Sequence, residues 1–309
     1  MKALKFLLVI AVVAAAGIFA SIKLAPAETA AFLVDVKRKI GGLEVHSIQL
    51  DNGMTYVYME AGKGKAETLL LLHGFGADKD NYTEVAPYLK DYHLIVPDHI
   101  GFGESSNPYE AEYTPAAQAM RLHELMQKLD IDSMHIGGSS MGGQIAMTYA
   151  SLYPGEVKSL WLLDPGGLWS APRSELAEII ERTGKNPLTA STPEEFRAVF
   201  GFVMSKPPFV PEFILDEKAK VRIDNFALEQ KVFEQIRTDN TEERIAGLTT
   251  PTLLVWGAED RVLHPGAVAV VEDLMPNVTS IIMPGIGHLP MLEAPKQTAT
   301  DLKNFLNGL

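Results

Sequence analysis

The sequence predicts an α/β fold, in which a mostly parallel sheet of eight strands is flanked by helices. Three observations lead to this fold class. Short apolar runs of strand length alternate with helical segments, as expected for βαβ units. Two runs near the start flank Asn52-Gly53, a pair that favours a tight hairpin turn. The stretch 166–247 has helical periodicity and several prolines, but no run typical of a buried strand.

The expected strands are apolar runs of five to seven residues, bounded by turn-forming residues. In chain order they are 46–50, 54–60, 68–72, 92–97, 133–137, 157–163, 251–256 and 278–283. Helices are expected at 114–129, 141–153, 265–275 and 296–306. The first of these begins with Thr114-Pro115, because Thr can cap a helix and Pro suits its first turn. We therefore expect one core, formed by 28–165 and 248–309, with a helical cap inserted at 166–247.

Composition excludes several classes of function. The chain has 309 residues, with 27 Lys and Arg against 39 Asp and Glu, so its net charge is −12. An acidic surface repels phosphate backbones, and we expect no nucleic-acid partner. There are no cysteines, which excludes disulfides, thiolate catalysis and Cys-ligated zinc. No metal or dinucleotide motif is present, so we expect no metal and no cofactor, and no obligatory protein partner is evident.

The segment 1–27 predicts a membrane-targeting element. Lys2 and Lys5 precede Phe6–Ile22, which is uncharged and as a helix would span roughly 26 Å, close to a bilayer core of about 30 Å. A retained signal anchor would place the body outside the cytoplasm, with the lysines inside. A signal peptide cleaved near Ala25-Pro26-Ala27 would give a secreted or periplasmic protein. The length of the run and the central proline favour the anchor, and a buried core helix is the third alternative.

Gly138-Ser139-Ser140-Met141-Gly142 carries the strongest chemical signal. It is a G-x-S-x-G motif between a predicted strand and a predicted helix. The turn is sharp, so small residues must flank it, and it projects the Ser140 hydroxyl from the top of the sheet. The helix N-terminus then offers a free N–H to a developing oxyanion. A turn that binds phosphate, or only reverses the chain, is the alternative.

A serine at neutral pH is a poor nucleophile and needs a base. Of eight histidines, His288 lies in a glycine-rich loop after the last predicted strand. Asp260 lies between Ser140 and His288, in the chain order Ser, Asp, His that such sites follow, and it would hold the tautomer of the base. Asp164, after the strand 157–163, is the rival acid, and Glu259 could also substitute.

An oxyanion hole needs two N–H donors. Met141 would supply one, because it follows the nucleophile. The other is expected from the loop His73-Gly74-Phe75-Gly76, with Phe75 as the donor. His73 itself is expected to brace the loop rather than react.

These residues belong to motifs that together resemble a known family. The motifs are HGFG at 73–76, PDHIGFGES at 97–105, GGSSMGG at 137–143, LLDPGG at 162–167, WGAEDRV at 256–262 and MPGIGHLPMLEAP at 283–295. From about residue 40 onward the chain resembles the α/β-hydrolase superfamily. GKNPL at 184–188 and KPPF at 206–209 look like bacterial family V lipases, and membrane-anchored monoacylglycerol lipases are similar in architecture.

The resemblance implies the α/β-hydrolase fold and a set of site residues. Ser140, Asp260 and His288 would be the triad, and the N–H groups of Phe75 and Met141 would be the oxyanion donors. The chain departs from the family pattern at two positions. Relatives often carry Asn at the position of Ser139, and many carry a different residue at the position of His99.

The sequence therefore predicts a serine hydrolase of carboxylic esters, with a small-molecule or lipid ester as substrate. Five phenylalanines of the cap support a lipid ester modestly, because most of them are expected to form the cap's own core and a minority to line the pocket. They are Phe196, Phe200, Phe202, Phe209 and Phe213. Two alternatives stay open: a C–C bond hydrolase of ring-cleavage products, and a binding protein without catalysis. Dehalogenases and epoxide hydrolases fit less well, since they need Asp where Ser140 stands.

Overall fold

The structure is a computed structural model that describes residues 20–309. The expected anchor or signal peptide, with its apolar run Phe6–Ile22, therefore lies almost wholly outside the described residues. From residue 20 onward, no helix has both the length and the apolar character needed to cross a bilayer.

One sheet of eight strands forms the centre of the fold. The strands are β1 (Glu44–Gln49), β2 (Thr55–Ala61), β3 (Thr68–Leu72), β4 (His93–Pro97), β5 (Met134–Ser139), β6 (Val157–Leu163), β7 (Thr252–Gly257) and β8 (Val278–Met283). Their order in the sheet is β1-β2-β4-β3-β5-β6-β7-β8. β2 is antiparallel to both β1 and β4, and all other neighbours are parallel. The eight-stranded, mostly parallel sheet is the one that the sequence predicts.

Helices cover the sheet. They are α1 (Pro26–Ile40), α2 (Pro115–Lys128), α3 (Met141–Leu152), α4 (Glu175–Thr183), α5 (Pro193–Val203), α6 (Glu212–Asp224), α7 (Phe226–Arg237), α8 (Thr241–Ile245), α9 (Ala267–Leu274), α10 (Pro290–Glu293) and α11 (Pro295–Leu306). Thr114 caps α2 as expected, since its hydroxyl accepts a hydrogen bond from Ala117 N–H at 3.3 Å.

Two hydrophobic clusters, one on each face of the sheet, form the core. Leu70 and Leu72 of β3 belong to the cluster that contains α2 and α3. Leu69 and Leu71 belong to the cluster on the other face, with Leu302 of α11. Successive strand residues point to opposite faces, so a strand covered on both sides must be apolar throughout. This is why β3 is an unbroken run of buried leucines.

α1 was not predicted from the sequence. Apolar residues of α1 do not form a stripe that faces the core: Phe32 is 64 % exposed and Ile40 is 66 % exposed. α1 is instead held through α6, against which it packs, and through Arg38, whose guanidinium donates to both oxygens of Asp80 at 2.7 and 3.0 Å. The usual periodic signal of an amphipathic helix is therefore weak in this segment.

Five helices, α4 to α8, lie between β6 and β7, and the described residues between these strands contain no strand. We refer to α4–α8 as the inserted helices. They pack beside the end of the sheet at which β5, β6 and β7 finish, and α3 contacts α8. The division of the chain into a core and a cap stays a prediction.

Candidate active site

Ser140 occupies the turn between β5 and α3. Its backbone adopts φ 54° and ψ −118°, a strained conformation for a residue other than glycine. The turn is held by hydrogen bonds from Ser140 N–H to Leu163 O at 3.0 Å and from Gly166 N–H to Ser140 O at 2.9 Å. The turn also needs glycine at position 142, where the backbone packs closely against β3: a methyl group there would lie 2.1 Å from Leu72 O. The sharp strand-to-helix turn matches the one expected from the motif.

His288 and Asp260 form a buried pair at the same end of the sheet. His288 Nδ1 lies 2.8 Å from Asp260 Oδ2. Asp260 Oδ1 accepts hydrogen bonds from Val262 N–H at 2.8 Å and Leu263 N–H at 3.1 Å, which fix the carboxylate. Both residues are less than 10 % exposed. Among the hydrogen bonds of the described residues, none joins His288 to Ser140, so the structure pairs the expected base with the expected acid only.

Asp164, the rival acid, lies beside this pair. One oxygen of Asp164, one of Asp260 and a ring nitrogen of His288 are all within 4.8 Å of one another. Asp164 is fully buried, its Oδ1 accepts from Gly257 N–H at 2.8 Å, and its Oδ2 has no partner. Burial raises the pKa of Asp164 well above its usual range, and the neighbouring Asp260 raises it further. Both effects favour the protonated form of Asp164.

Among residues 20–309, these same three side chains are the group whose ligand atoms lie close enough together to hold one metal ion. Their ligand atoms are mostly committed, since His288 Nδ1 binds Asp260 and backbone N–H groups occupy one oxygen of each carboxyl. A protonated Asp164 is also a poor ligand. The expectation that the protein has no metal and no cofactor stays a prediction.

The loop after β3 lies against Ser140. A methyl group at Gly74 would be 3.1 Å from Ser140 Cβ and 3.8 Å from Ser140 Oγ. The carbonyl of Gly74 accepts from Ala77 N–H at 3.3 Å, which closes a turn around Phe75. Within the described residues, neither Phe75 N–H nor Met141 N–H donates to a protein acceptor. Both expected oxyanion donors are therefore unused at the wall of the site. We call residues 73–76 the oxyanion loop.

Two buried histidines brace the oxyanion loop. His73 Nδ1 lies 2.8 Å from Gly74 O, and His73 Nε2 accepts from His99 N–H at 3.0 Å. The His99 ring is 4.5 Å from the His73 ring, and its Nε2 lies 3.2 Å from His73 O. Burial lowers the pKa of His73, and burial beside His73 lowers that of His99 further below its usual value. These pKa shifts favour the neutral form of both rings. The contact between His99 and His73, which the sequence did not reveal, braces the loop.

Two charged residues that hold the site loops were also not predicted from the sequence. Glu293 accepts from Gly287 N–H, from Ser205 N–H at 2.9 Å and from Lys206 N–H at 2.8 Å. Arg222 of α6 donates to Gly76 O at 2.6 Å. Glu293 was visible inside the motif that contains His288, whereas Arg222 is distant in sequence from the loop that it binds and left no local signal.

A cavity of about 400 Å³ opens between the core and the inserted helices, with Ser140 on its wall. Its lining is mostly apolar and comes from both sides, with Phe75, Met141, Val262, Leu176, Ile180 and Phe233. The five phenylalanines of the expected cap are all described, and none of them lines this cavity. Phe196 and Phe200 instead pack together with Ala219, and Phe209 is 91 % exposed. The expectation that a minority would line the pocket was wrong, because the aromatic lining comes from elsewhere in the chain.

A parallel sheet with a serine on a strained strand-to-helix turn and a buried Asp–His pair beside it defines an α/β hydrolase. The chain belongs to this family, since the family model described as alpha/beta hydrolase fold matches residues 67–295. Lipase 3 of Moraxella sp. (strain TA144) is 46 % identical over 283 residues, covering 90 % of this chain and 89 % of the relative. Human monoacylglycerol lipase ABHD6 is 28 % identical, covering 87 % and 84 % respectively.

Among solved structures, a membrane phospholipase A described as a novel bacterial virulence factor superimposes with a TM-score of 0.89. It is 38 % identical and covers 100 % of this chain and 99 % of that one. Together these comparisons confirm the expected family, the expected fold class and the expected enzyme class, a serine hydrolase that cleaves carboxylic esters. The roles of the individual site residues stay predictions.

Proposed function

We propose that the protein hydrolyses lipid esters such as monoacylglycerols through an acyl-enzyme on Ser140. The observation that carries this proposal is the position of Ser140 on the wall of a mostly apolar cavity, with the hydrogen-bonded Asp260–His288 pair at the ends of neighbouring strands. Only β6 separates β5, which leads to Ser140, from β7, which leads to Asp260. Adjacent strands lie about 4.8 Å apart, so loops at their carboxyl ends can reach one bound ester.

In the acylation step, His288 takes the proton of Ser140 as its Oγ attacks the ester carbonyl carbon. Asp260 holds the His288 ring by its Nδ1–H and stabilises the imidazolium. The Phe75 and Met141 N–H groups stabilise the negative charge that forms on the carbonyl oxygen. The tetrahedral intermediate then collapses, the bond to the alcohol oxygen breaks, and the alcohol leaves with the proton from His288.

In the deacylation step, a water molecule gives a proton to His288 and attacks the acyl carbonyl carbon. The second tetrahedral intermediate releases Ser140, which regains its proton from His288, and the fatty acid leaves. Because both steps pass through an oxyanion at the same place, one pair of N–H donors serves both.

Two observations support a lipid as the substrate. The lining of the cavity is mostly apolar, and burial of each CH₂ of an acyl chain contributes about 0.8 kcal/mol. The relatives are named lipase and monoacylglycerol lipase, activities that act on lipid esters. Both relatives match this chain over nearly its whole length. We also propose that 166–247 forms a cap over the core of 28–165 and 248–309, so that the acyl chain lies between them.

The test is hydrolysis by the full chain in detergent of p-nitrophenyl esters of increasing acyl length and of a monoacylglycerol. Ser140→Ala should abolish turnover. Ser139→Ala is the matched control, because Ser139 is fully buried and its hydroxyl has no hydrogen-bond partner in the structure. We expect Ser139→Ala to keep most of the activity.

Activity that peaks at medium or long chains, and on the monoacylglycerol, would support the lipid ester. Substantial turnover by Ser140→Ala would refute the assignment of the nucleophile. Failure on every ester, while a fluorophosphonate still labels Ser140, would instead indicate that the site cleaves a different bond.

We propose further that the segment 1–27 anchors the protein in a membrane, with the catalytic body outside the cytoplasm. The run Phe6–Ile22 supports this by its length and lack of charge. Apolar side chains also stay exposed just after the run and on α1, since Leu24 is 85 % exposed and Ile40 of α1 is 66 % exposed. Intact mass should show that Met1 to Ala27 are retained, and the protein should resist extraction from membranes by alkaline carbonate. A mature chain that starts after Ala27 would show cleavage instead.

A further inference from the structure

α6 directs two cations toward the segment that follows β3. Lys218 and Arg222 are four residues apart, which places them on one face of the helix. The Lys218 ammonium lies 2.7 Å from Asp78 Oδ2. Arg222 Nη1 donates to Gly76 O at 2.6 Å. One face of an inserted helix therefore contacts both the oxyanion loop and the residues just after it.

The guanidinium of Arg222 is almost fully used. Besides Gly76 O, its Nη2 donates to Leu188 O at 2.6 Å and to Glu229 Oε2 at 2.9 Å, and its Nε donates to Glu229 Oε1. The Arg222 side chain is 12 % exposed and that of Glu229 is 2 % exposed. Burial raises the pKa of Glu229, whereas Arg222 lowers it, so the carboxylate depends on this partner. Such a planar, bidentate pair fixes the direction of the remaining N–H groups.

The space at Gly76 is shaped around this contact. Gly76 has φ +67°, and a methyl group there would lie 2.4 Å from Arg222 Nη2. The residue is therefore a glycine for two reasons, the left-handed backbone and the close approach of the guanidinium.

We propose that Arg222 is a positioning residue for catalysis, which fixes the oxyanion loop through the carbonyl of Gly76. Two carbonyls of the turn, Gly74 O and Gly76 O, are held from different parts of the molecule. Gly74 O is bound by His73 and by Ala77 N–H, whereas Gly76 O is bound by Arg222. Gly76 C=O and Ala77 N–H belong to one planar peptide unit, so Arg222 also fixes the N–H group that donates to Gly74 O. Gly74 C=O in turn shares its peptide plane with Phe75 N–H, and the direction of that N–H is thereby fixed. This inference rests on the proposed function, since it concerns the oxyanion donor of that reaction.

The expected consequence is a fall in kcat with little change in KM, because the Phe75 N–H matters most when negative charge develops on the carbonyl oxygen. A displacement of about 1 Å at a reacting centre lowers rates up to about 100-fold. We therefore expect Arg222→Ala to lower kcat roughly 10- to 100-fold. The rate of Ser140 phosphonylation by a fluorophosphonate should fall by a similar factor, because the phosphoryl oxygen of that reagent accepts hydrogen bonds from the same donors.

The experiment compares wild type, Arg222→Ala and Arg222→Ala/Glu229→Gln as full chains in detergent. The double variant removes the buried carboxylate that Arg222→Ala leaves unpaired, and so keeps the test valid if the single variant fails to fold. Arg197→Ala is the matched control, because Arg197 of α5 pairs with Asp216 of α6 and belongs to the same group of helices. It should leave kcat unchanged.

Rescue distinguishes positioning from a general structural role. Guanidinium at millimolar, non-denaturing concentration should restore much of kcat in the variants that lack Arg222, whereas an equal concentration of ammonium should not. Normal kcat and normal phosphonylation in the double variant, or no recovery with guanidinium, would overturn the inference. Failure of wild type to hydrolyse esters and to label at Ser140 would overturn the proposed function itself, a result that is separate from these.

Discussion

Asp164 and Asp260 are two carboxyl groups in one buried cluster with different surroundings. Asp260 accepts hydrogen bonds from two backbone N–H groups and from His288, and all of these stabilise a carboxylate. Asp164 accepts one backbone hydrogen bond and leaves its other oxygen without a partner. The difference in hydrogen bonding also separates the roles of the two acids. We assign to Asp260 the role of partner to His288, and to Asp164 a neutral, supporting role.

This assignment predicts different effects of the same substitution at the two positions. Asp260→Asn should lower kcat by about 10³- to 10⁴-fold, because the amide cannot stabilise the imidazolium and favours the wrong tautomer of His288. Asp164→Asn should keep kcat within about tenfold of wild type, since Asn resembles a protonated carboxyl group in shape and hydrogen bonding. Steady-state kinetics on one p-nitrophenyl ester checks both, and the reverse order of effects would make Asp164 the catalytic acid.

The raised pKa of Asp164 also predicts a pH-dependent stability. Below the unfolded-state pKa, near 4, both states hold the proton and the residue has no effect. As the pH rises from there toward the folded-state pKa, the unfolded state releases its proton and the folded state does not. Each pH unit in this window lowers the free energy of unfolding by about 1.4 kcal/mol. Asp164→Asn removes this loss, so its Tm should exceed that of wild type by more at pH 8 than at pH 5. A difference that is constant with pH would contradict a protonated Asp164.

The candidate residues differ in how visible they were in the sequence. Ser140 and the oxyanion loop could be placed because each follows a predicted parallel strand, and such strand ends meet at one edge of a sheet. The choice between Asp260 and Asp164 rested on chain order, since both follow buried strands. Arg222 and His99 could not be found in this way, because their contacts join residues distant in sequence and depend on buried hydrogen-bond geometry.

At the scale of elements, the junction between β5 and α3 determines whether the site can form. α3 starts directly after the strand and runs so close to β3 that Gly142 meets the Leu72 carbonyl. The motif predicted this junction because only small residues fit it. α1 was not predicted, since its contacts with α6 and Asp80 are tertiary and its apolar residues are largely exposed.

Two helical glycines therefore predict opposite results when changed to alanine. Gly142→Ala should lower the free energy of unfolding by at least about 2 kcal/mol, because the backbone of β3 cannot move away from the added methyl group. Gly201→Ala in α5 has open space around it and should raise that free energy by up to about 1 kcal/mol through helix propensity. Denaturant unfolding of both variants measures the difference. Equal stability of the two variants would show that the junction tolerates displacement.

For the whole molecule, the inserted helices hold the site from two sides. Arg222 of α6 binds the oxyanion loop, whereas the carbonyl of Val203, at the end of α5, accepts a hydrogen bond from His288 N–H at 2.8 Å. Glu293 adds a second connection to the residues that follow α5. An insertion between β6 and β7 could be predicted from the missing strand pattern. Its connections to both loops could not, because they depend on how the helices are oriented.

This arrangement predicts that the inserted helices set the acyl-chain length. Ile180 of α4 lines the cavity, whereas its neighbour Ile179 does not. Ile180→Trp should fill part of the acyl space and lower kcat/KM on long-chain esters roughly tenfold, which corresponds to about two methylenes left unburied. Activity on the butyrate ester should change little. Ile179→Trp serves as the control with the same added volume. An equal loss at every chain length would argue that the acyl chain binds elsewhere.

The strand order has a consequence for biosynthesis. Ser140, the proposed nucleophile, follows β5, but Asp260 and His288 follow β7 and β8, the last strands that the ribosome delivers. A nascent chain that has reached the inserted helices already contains Ser140, yet it has neither base nor acid. By the proposed mechanism such a chain cannot cleave esters, so a prematurely terminated product would be harmless to the lipids of the cell that makes it. The chain can hydrolyse esters only after its final part has been translated.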